Sequence, residues 1–329
     1  MTTSPARRLM LAALLSVAAI FIGVPGHADT YPARQITVII PFAAGSASDV
    51  VSRIMFNKMS QNMGQPIVVD NRPGAGGNIG TALGAKAAPD GYTWIASGSG
   101  PIAANKTLYR DLGYDSEKDL EPVSMIGVFP IVIVASSKLP VKSLSELIAY
   151  AKEHPSQLNY GSVGIGSSQH LAGAYFEQVV GVKLTHVPYR NIAQYGPDLI
   201  AGTVPLGFQW LPNVLAPLQS GGAKALAVAS ATRMKALPEV PTTAEAGLKD
   251  YVNSGWFLML APRGTPKPII DQLNREFSAA LKDPAVQERF TEQGCEVLIA
   301  SPEELKKLVS DEVAKWRDII TKAGIPPIQ

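Results

Sequence analysis

The sequence predicts an α/β protein built as two layered units, with the chain crossing between them twice. Short apolar runs alternate with helical patterns almost throughout. The order strand, Gly/Ser loop, helix, stopping glycine, strand occurs once in the first third of the chain and again in the middle third. The length of 329 residues, 46% hydrophobic and 17% charged, is enough for two cores.

In the first unit, residues 36–40 read as a buried strand. Past the turn at 41–45, Val50, Val51, Ile54, Met55 and Met59 fall at helical spacing until Gly64. Residues 66–69 form the next strand. A glycine-rich turn at 71–77 leads into a helix over about 78–87, and Asp90-Gly91 turns the chain into a strand at 92–96. A second Gly/Ser loop follows at 97–101. The later unit repeats the plan, with a strand at 158–160, a loop at 161–168 and a helix carrying Leu171, Ala172, Tyr175, Phe176, Val179 and Val180 on one face. Gly181 stops that helix, and a strand at 182–187 follows. Thr265-Pro266 opens a helix with Ile269, Ile270, Leu273, Phe277 and Leu281 inward. Ser301-Pro302-Glu303-Glu304 is a capping box before the last helix, whose stripe is Leu305, Leu308, Val309, Trp316, Ile319 and Ile320. Crossings near 126–130 and 251–262 place residues 29–128 plus 251–329 in one domain and 129–250 in the other, with a hinged cleft between them.

The first residues read as a leader. Arg7 and Arg8 precede an apolar run from 9 to 24, followed by Pro25-Gly26-His27-Ala28. That is the order of a secretory signal, residues 1–28, cleaved near Ala28. The run is short of the ~20 residues a spanning helix needs. The arginine pair also fits a twin-arginine signal in part. Without these two arginines the chain carries 27 basic and 27 acidic residues. A neutral surface argues against a nucleic-acid binder. Cys295 is the one cysteine, which excludes an intrachain disulfide and a cysteine-based metal cluster.

The usual catalytic signals are missing. There is no Gly-x-Ser-x-Gly elbow and no phosphate loop, and Gly74-Ala-Gly-Gly-Asn-Ile-Gly80 fails the dinucleotide spacing at Ile79. His154, His170 and His186 are sixteen residues apart, without metal-ligand spacing. Structural roles are favoured for them, and a packed or surface thiol for Cys295. What remains are the loops at 43–48 and 161–168, each running straight into a helix. The first turn of a helix offers unpaired N–H groups and the positive end of its dipole to an anion. Asp49 stands three residues after Ser46, so that pair forms a capping box and uses one donor. Ordinary turns and caps are the competing reading. Two such loops, one per unit, at the carboxyl ends of strands, favour binding. A helix end contributes roughly 0.3–1 kcal/mol and a hydrogen bond to a charge about 1.5–3 kcal/mol. Micromolar affinity needs about 8 kcal/mol, so both loops and several hydrogen bonds are required.

Several segments together carry a family resemblance. Tyr31-Pro-Ala-Arg-Gln-Ile-Thr-Val-Ile-Ile-Pro-Phe-Ala-Ala-Gly45 with Asp49 resembles the start of the substrate-binding receptors of tripartite tricarboxylate transporters, the Bug-type receptors. Asn71-Arg-Pro-Gly-Ala-Gly-Gly-Asn-Ile-Gly80, Ala88-Pro-Asp-Gly-Tyr92 and Leu158-Asn-Tyr-Gly161 fit the same family. So do Ser168 with His170-Leu-Ala-Gly173, His186-Val-Pro-Tyr189, Leu237-Pro-Glu-Val-Pro-Thr-Thr-Ala-Glu-Ala-Gly247 and Leu260-Ala-Pro262. The resemblance implies a two-domain periplasmic-binding-protein-like fold of type II, located in the periplasm and closing on a small organic carboxylate. It implies a receptor and not an enzyme, with no cofactor, no metal and no nucleic-acid partner. The chain is expected to be monomeric and to deliver cargo to a permease of one large and one small membrane subunit.

Carried over by position, the resemblance assigns the ligand to Phe42, Ala44, Ser46 and Asp49 in the first loop and to Ser97 and Ser99 after the third strand. The second domain gives Gly164, Gly166, Ser167, Ser168 and His170, with Tyr189 and Arg190 nearby. Three positions depart from the family pattern. Gly45-Ser46 stands where members often have Gly-Gly, which adds a hydroxyl. Arg190 stands where lysine is common, either as a bidentate donor to a second carboxylate or in a surface ion pair. Gln209-Trp210 replaces Asp-Asn, which removes the anion an amino-acid ligand would use. Trp210 then packs either on cargo or in the core. These departures favour a dicarboxylate or aromatic carboxylate. The alternatives are a ligand sensor for a membrane kinase and, less favoured, an exported hydrolase using Ser46 or Ser168 with a histidine.

Overall fold

The structure, a computed structural model, describes residues 31–322 together with 327 and 328. The expected leader at 1–28 lies outside them. Two five-stranded sheets organise the chain. The first has the order β2-β1-β3-β10-β4, from β1 (Ile36–Ile40), β2 (Ile67–Asn71), β3 (Thr93–Gly98), β4 (Leu120–Pro130) and β10 (Ser254–Pro262). The second has the order β7-β6-β8-β5-β9, from β5 (Val132–Ser136), β6 (Asn159–Ser162), β7 (Thr185–Pro188), β8 (Leu206–Gln209) and β9 (Ala223–Val228).

The two sheets share one plan. Strands β2, β1 and β3 run parallel, and β10 is antiparallel to β3 and β4. In the second sheet β7, β6 and β8 run parallel, and β5 is antiparallel to β8 and β9. In each sheet the antiparallel fourth place is filled by the strand that has just arrived from the other sheet. This fixes where the helices start: α1 (Ala47–Met63) follows β1, and α5 (Ser168–Val180) follows β6, both at the carboxyl ends of parallel strands. Between them lie α2 (Asn78–Ala85), α3 (Asn105–Leu108) and α4 (Leu144–Glu153). The chain continues through α6 (Tyr195–Ala201), α7 (Leu215–Gln219), α8 (Lys267–Leu281), α9 (Pro284–Glu292) and α10 (Pro302–Lys322).

Local chemistry sets the helix ends. Ser46 caps α1, and Gly64 ends it at φ 65°. Ser167 caps α5, and Gly181 ends it at φ 69°. Ser301 and Glu304 form the expected reciprocal box, with Glu304 N–H donating to Ser301 Oγ at 3.2 Å and Ser301 N–H to Glu304 Oε2 at 2.8 Å. Under the first sheet, α1 and α8 are held by Phe56, Trp94 and Phe277, all fully buried. Phe56 meets Phe277 edge-on, with ring centroids 6.1 Å apart. Burying each phenylalanine is worth roughly 1.5–3 kcal/mol.

Two expected elements differ from the structure. Ser97 and Gly98 end β3, and Gly100–Ala104 is a wide helical turn running into α3. Ile102, Ala103 and Ala104 are apolar and pack in the core with α10, so this segment is buried instead of forming a free loop. The strand expected from 182 starts at Thr185. Lys183 C=O accepts from Ser156 N–H, and Leu184 N–H donates to Glu177 Oε1, which takes both groups out of the ladder.

A cleft between two helix-opening loops

The two loops are built alike. Ser46 Oγ accepts from Asp49 N–H at 3.4 Å. The Asp49 carboxylate accepts from Gly45 N–H at 2.9 Å, Arg53 Nε at 2.9 Å and Asn71 Nδ2 at 3.0 Å. In the other loop Ser167 Oγ donates to Gly164 C=O at 2.7 Å and accepts from His170 N–H at 3.3 Å. Gly166 N–H donates to His170 Nδ1 at 3.2 Å. Each loop is therefore fixed by side chains of its own unit before any ligand is considered.

The second loop touches segments that flank the first one, and the start of α1 is tied to Asn213. Ser99 and Ser168 share a hydrogen bond of 2.8 Å between their hydroxyls. Ala47 N–H, at the start of α1, donates to Asn213 Oδ1 at 2.8 Å, and Tyr109 OH donates to Ile165 C=O at 3.0 Å. Backbones also meet: a methyl group on Gly76 would lie 1.9 Å from Ile165 O, and one on Gly100 would lie 2.3 Å from Gly166 O.

A cavity of about 450 Å³ lies beside these contacts, within the size range of small-molecule sites. Its walls are mostly apolar, with Phe42, Ile79, Val163, Ile165 and Ile192 prominent. Arg190 is the one charged residue of that lining among the described residues, and it is exposed. It makes no ion pair among the described residues. A water-sized chamber of about 10 Å³ shares Phe42, Ser46 and Val163 with the cavity and adds Ser48, Ser168, Trp210 and Asn213.

The expected ligand residues fall into two groups. Phe42, Ser46, Gly164, Tyr189 and Arg190 line the large cavity, and Ser168 and Trp210 line the chamber. The others lie outside both linings. Ala44 is exposed on the outside of its turn. Asp49 is committed to Arg53, Asn71 and Gly45. Ser97 is fully buried and paired with Thr81 Oγ1 at 2.8 Å. Ser99 reaches Ser168 from the opposite side. Gly166, Ser167 and His170 hold the second loop together. Gln209 is fully buried, donating to Gly161 C=O at 2.8 Å and accepting from Asn213 Nδ2 at 3.0 Å. It thereby orients Asn213 towards Ala47. The face of Trp210 is stacked on Phe129 with centroids 4.5 Å apart, so the ring face is taken up by core packing.

Electrostatics keep the second loop neutral. Burial lowers the His170 imidazole to about 4. Burial and the neighbouring His170 ring, with centroids 4.2 Å apart, lower His186 to about 3. His186 Nε2 meets Ser162 Oγ at 2.6 Å. Tyr189 OH donates to Asp198, and burial together with that carboxylate raises the phenol. Ser46 and Ser168 hydrogen-bond to Ser48, Asp49 and Ser99, and neither meets a histidine among the described residues. The arrangement presents donors, hydroxyls and one cation around apolar walls, which suits capture of an anion.

Sequence reasoning missed Gly76, Ile79, Tyr109, Ile165 and Asn213. The glycine-rich stretch 71–80 was the available signal for the first two. Nothing local marks Tyr109 or Asn213, whose partners belong to the other sheet's loops or helices.

Residues 51–325 match the family model described as the tripartite tricarboxylate transporter family receptor. The chain is 39% identical over 317 residues to Protein BugT of Bordetella pertussis, covering 94% of this chain and 97% of that protein. Among solved structures it is similar to R. palustris Rpa4515 with adipate, with a TM-score of 0.87 and 38% identity, covering 91% of this chain and 100% of the other. It is similar also to MatC from Rhodopseudomonas palustris with bound malate, with a TM-score of 0.82 and 34% identity, covering 88% and 100%. Sheets, cleft and comparisons agree that this chain is a solute-binding receptor of the TctC family, the receptors of tripartite tricarboxylate transporters.

Proposed function

We propose that this receptor captures a small organic carboxylate, a dicarboxylate or aromatic carboxylate, in the cleft between its two loops and hands it to a membrane permease of one large and one small subunit. The observation that carries this is Arg190, a cation without an ion-pair partner among the described residues, on a cavity whose lining holds no acid. A planar guanidinium there donates two parallel hydrogen bonds to a carboxylate. The apolar walls suit a methylene chain or ring, and the Ser46 and Ser168 hydroxyls supply donors at the far end. The similar structures that hold adipate and malate support the same ligand class.

In this reading residues 29–128 plus 251–329 and residues 129–250 are the two jaws. Ser97, Ser99, Gly166, Ser167, His170, Asp49 and Gln209 shape the loops. The chain is exported by residues 1–28 and works as a monomer in the periplasm, without metal or cofactor. No single contact suffices: about 8 kcal/mol is needed for micromolar binding, and a charged hydrogen bond gives about 1.5–3 kcal/mol.

Calorimetry tests the reading, on protein unfolded and refolded to strip any ligand, against adipate, succinate, malate and benzoate. Saturable heat with at least one is expected, and silence with all four would sink it. Arg190→Ala should weaken binding of the best dicarboxylate by about 10- to 100-fold. Its unfolding temperature should stay unchanged, because Arg190 is exposed and makes no ion pair among the described residues. Unchanged affinity would remove Arg190 from the site.

A further inference from the structure

Trp210 follows β8 directly and is 3% exposed. Phe129 stacks on its ring, and Phe257 lies at 83° to it with centroids 6.3 Å apart. Packing thus fixes the indole, yet its buried Nε1–H has no hydrogen-bond partner among the described residues. Leaving such a donor unpaired is costly, so it calls for a physical reason, such as strain, a bound water or a ligand.

The place it occupies supplies that reason. A methyl group on Gly255 would lie 2.4 Å from Trp210 Cζ2, 2.9 Å from Cε2 and 3.0 Å from Ser168 Oγ. Cε2 is bonded to Nε1, so the edge of the indole beside its donor and the Ser168 hydroxyl come together over Gly255, whose missing side chain makes the approach possible. Both line the 10 Å³ chamber, which has room for about one oxygen-sized group. The chamber contains no acid. Its Asn213 Oδ1 already accepts from Ala47, and the nearby Asp49 carboxylate is turned to Arg53.

We propose that Trp210 is a specificity-determining ligand donor: its Nε1–H donates to an oxygen of the ligand carboxylate that enters this chamber, and the site therefore takes carboxylates with no ammonium group beside that end. An indole N–H only donates, and an ammonium buried here would meet no anion. The proposal rests on the carboxylate reading above and orients the ligand, with one end at Trp210 and Ser168 and the rest towards Arg190.

Succinate and L-aspartate differ by one ammonium group and serve as matched probes, with adipate and malate beside them. Calorimetry should show aspartate binding at least tenfold more weakly than succinate. Trp210→Phe keeps the ring and removes the donor. It should weaken the tightest of succinate, adipate and malate by about 10- to 100-fold, while the ligand-free unfolding temperature holds or rises. In the wild-type protein the Trp210 indole proton should move downfield in a ¹⁵N-resolved spectrum on saturation, a readout that survives if the variant folds poorly. Equal affinity of Trp210→Phe, an unmoved indole signal, or aspartate binding as tightly as succinate would each overturn the proposal. Wild-type protein that binds none of these probes would instead overturn the carboxylate reading itself, and this assignment with it.

Discussion

Gly76→Ala should cost the receptor at least a hundredfold in carboxylate affinity while leaving it folded. The added methyl would sit 1.9 Å from Ile165 O, about 1.5 Å short of ordinary van der Waals contact. Neither atom is the end of a flexible side chain, so relief requires the turn that carries Gly76 and the loop at 161–168 to part. Parting them breaks the geometry that brings Ser99 to Ser168 and Ala47 to Asn213. A ligand that needs closed loops then binds only the fraction of molecules still able to close, and its apparent dissociation constant rises by the inverse of that fraction. Gly76 also has φ 61°, which costs a residue with a side chain roughly 1–2 kcal/mol. Gly181→Ala separates the two effects. It has φ 69° with nothing within 4 Å of the added methyl, so it should lower the unfolding temperature and spare affinity. Equal binding by Gly76→Ala and wild type would show that closure of these loops is not part of capture.

Acid should destabilise the second sheet's loop through its histidine pair. His170 is held at about 4 and His186 at about 3 in the folded protein, chiefly by burial, against about 6.5 unfolded. The unfolded chain therefore binds more protons between pH 6.5 and 3, and stability falls as pH falls through that window. For a histidine held at about 4 the loss at pH 4 is about 3 kcal/mol relative to pH 7. Protonating His170 Nδ1 also removes the acceptor for Gly166 N–H, so affinity should fall with stability. Tyr160 packs against His186 and stays neutral in this range. The raised carboxyl of nearby Glu177 acts in the opposite sense. The histidine contribution is thus read as the difference in urea-unfolding free energy between wild type and His186→Phe, followed from pH 7 to pH 4. The wild type should lose more; parallel curves would contradict the assignment.

What the sequence revealed was what neighbours in the chain decide. Ser301 with Glu304 and the stops at Gly64 and Gly181 are set within four residues and were legible, and so was Ser46 as the cap of α1. The expected Ser46–Asp49 box forms only in part, because the Asp49 carboxylate takes Gly45 N–H and Ser46 N–H goes to Ala43 C=O. The repeated strand–loop–helix order was legible for the same reason, and it placed both helix-opening loops. The end of β3 at Gly98 separates Ser97 from Ser99: Ser97 is still in the strand and bonds Thr81, while Ser99 lies past it and reaches Ser168. Their listing together in one loop hid that difference. Asn213 lies 166 residues from Ala47, and no local pattern announces such a pairing. Gly76 looked like one more turn glycine, because its meaning lies in a carbonyl on the opposite loop. The unpaired indole of Trp210 could be found only once the packing around it was visible.

A crystal of the receptor grown with adipate, or with whichever dicarboxylate calorimetry finds tightest, tests the central claim most directly. One carboxylate should lie by Ser46, Ser168 and Trp210, and the other within hydrogen-bond distance of the Arg190 guanidinium, with Gly76 against Ile165. Density for the ligand elsewhere, for instance in the separate cavity beside Arg233 and Lys235, with the loops at 43–48 and 161–168 untouched, would contradict it.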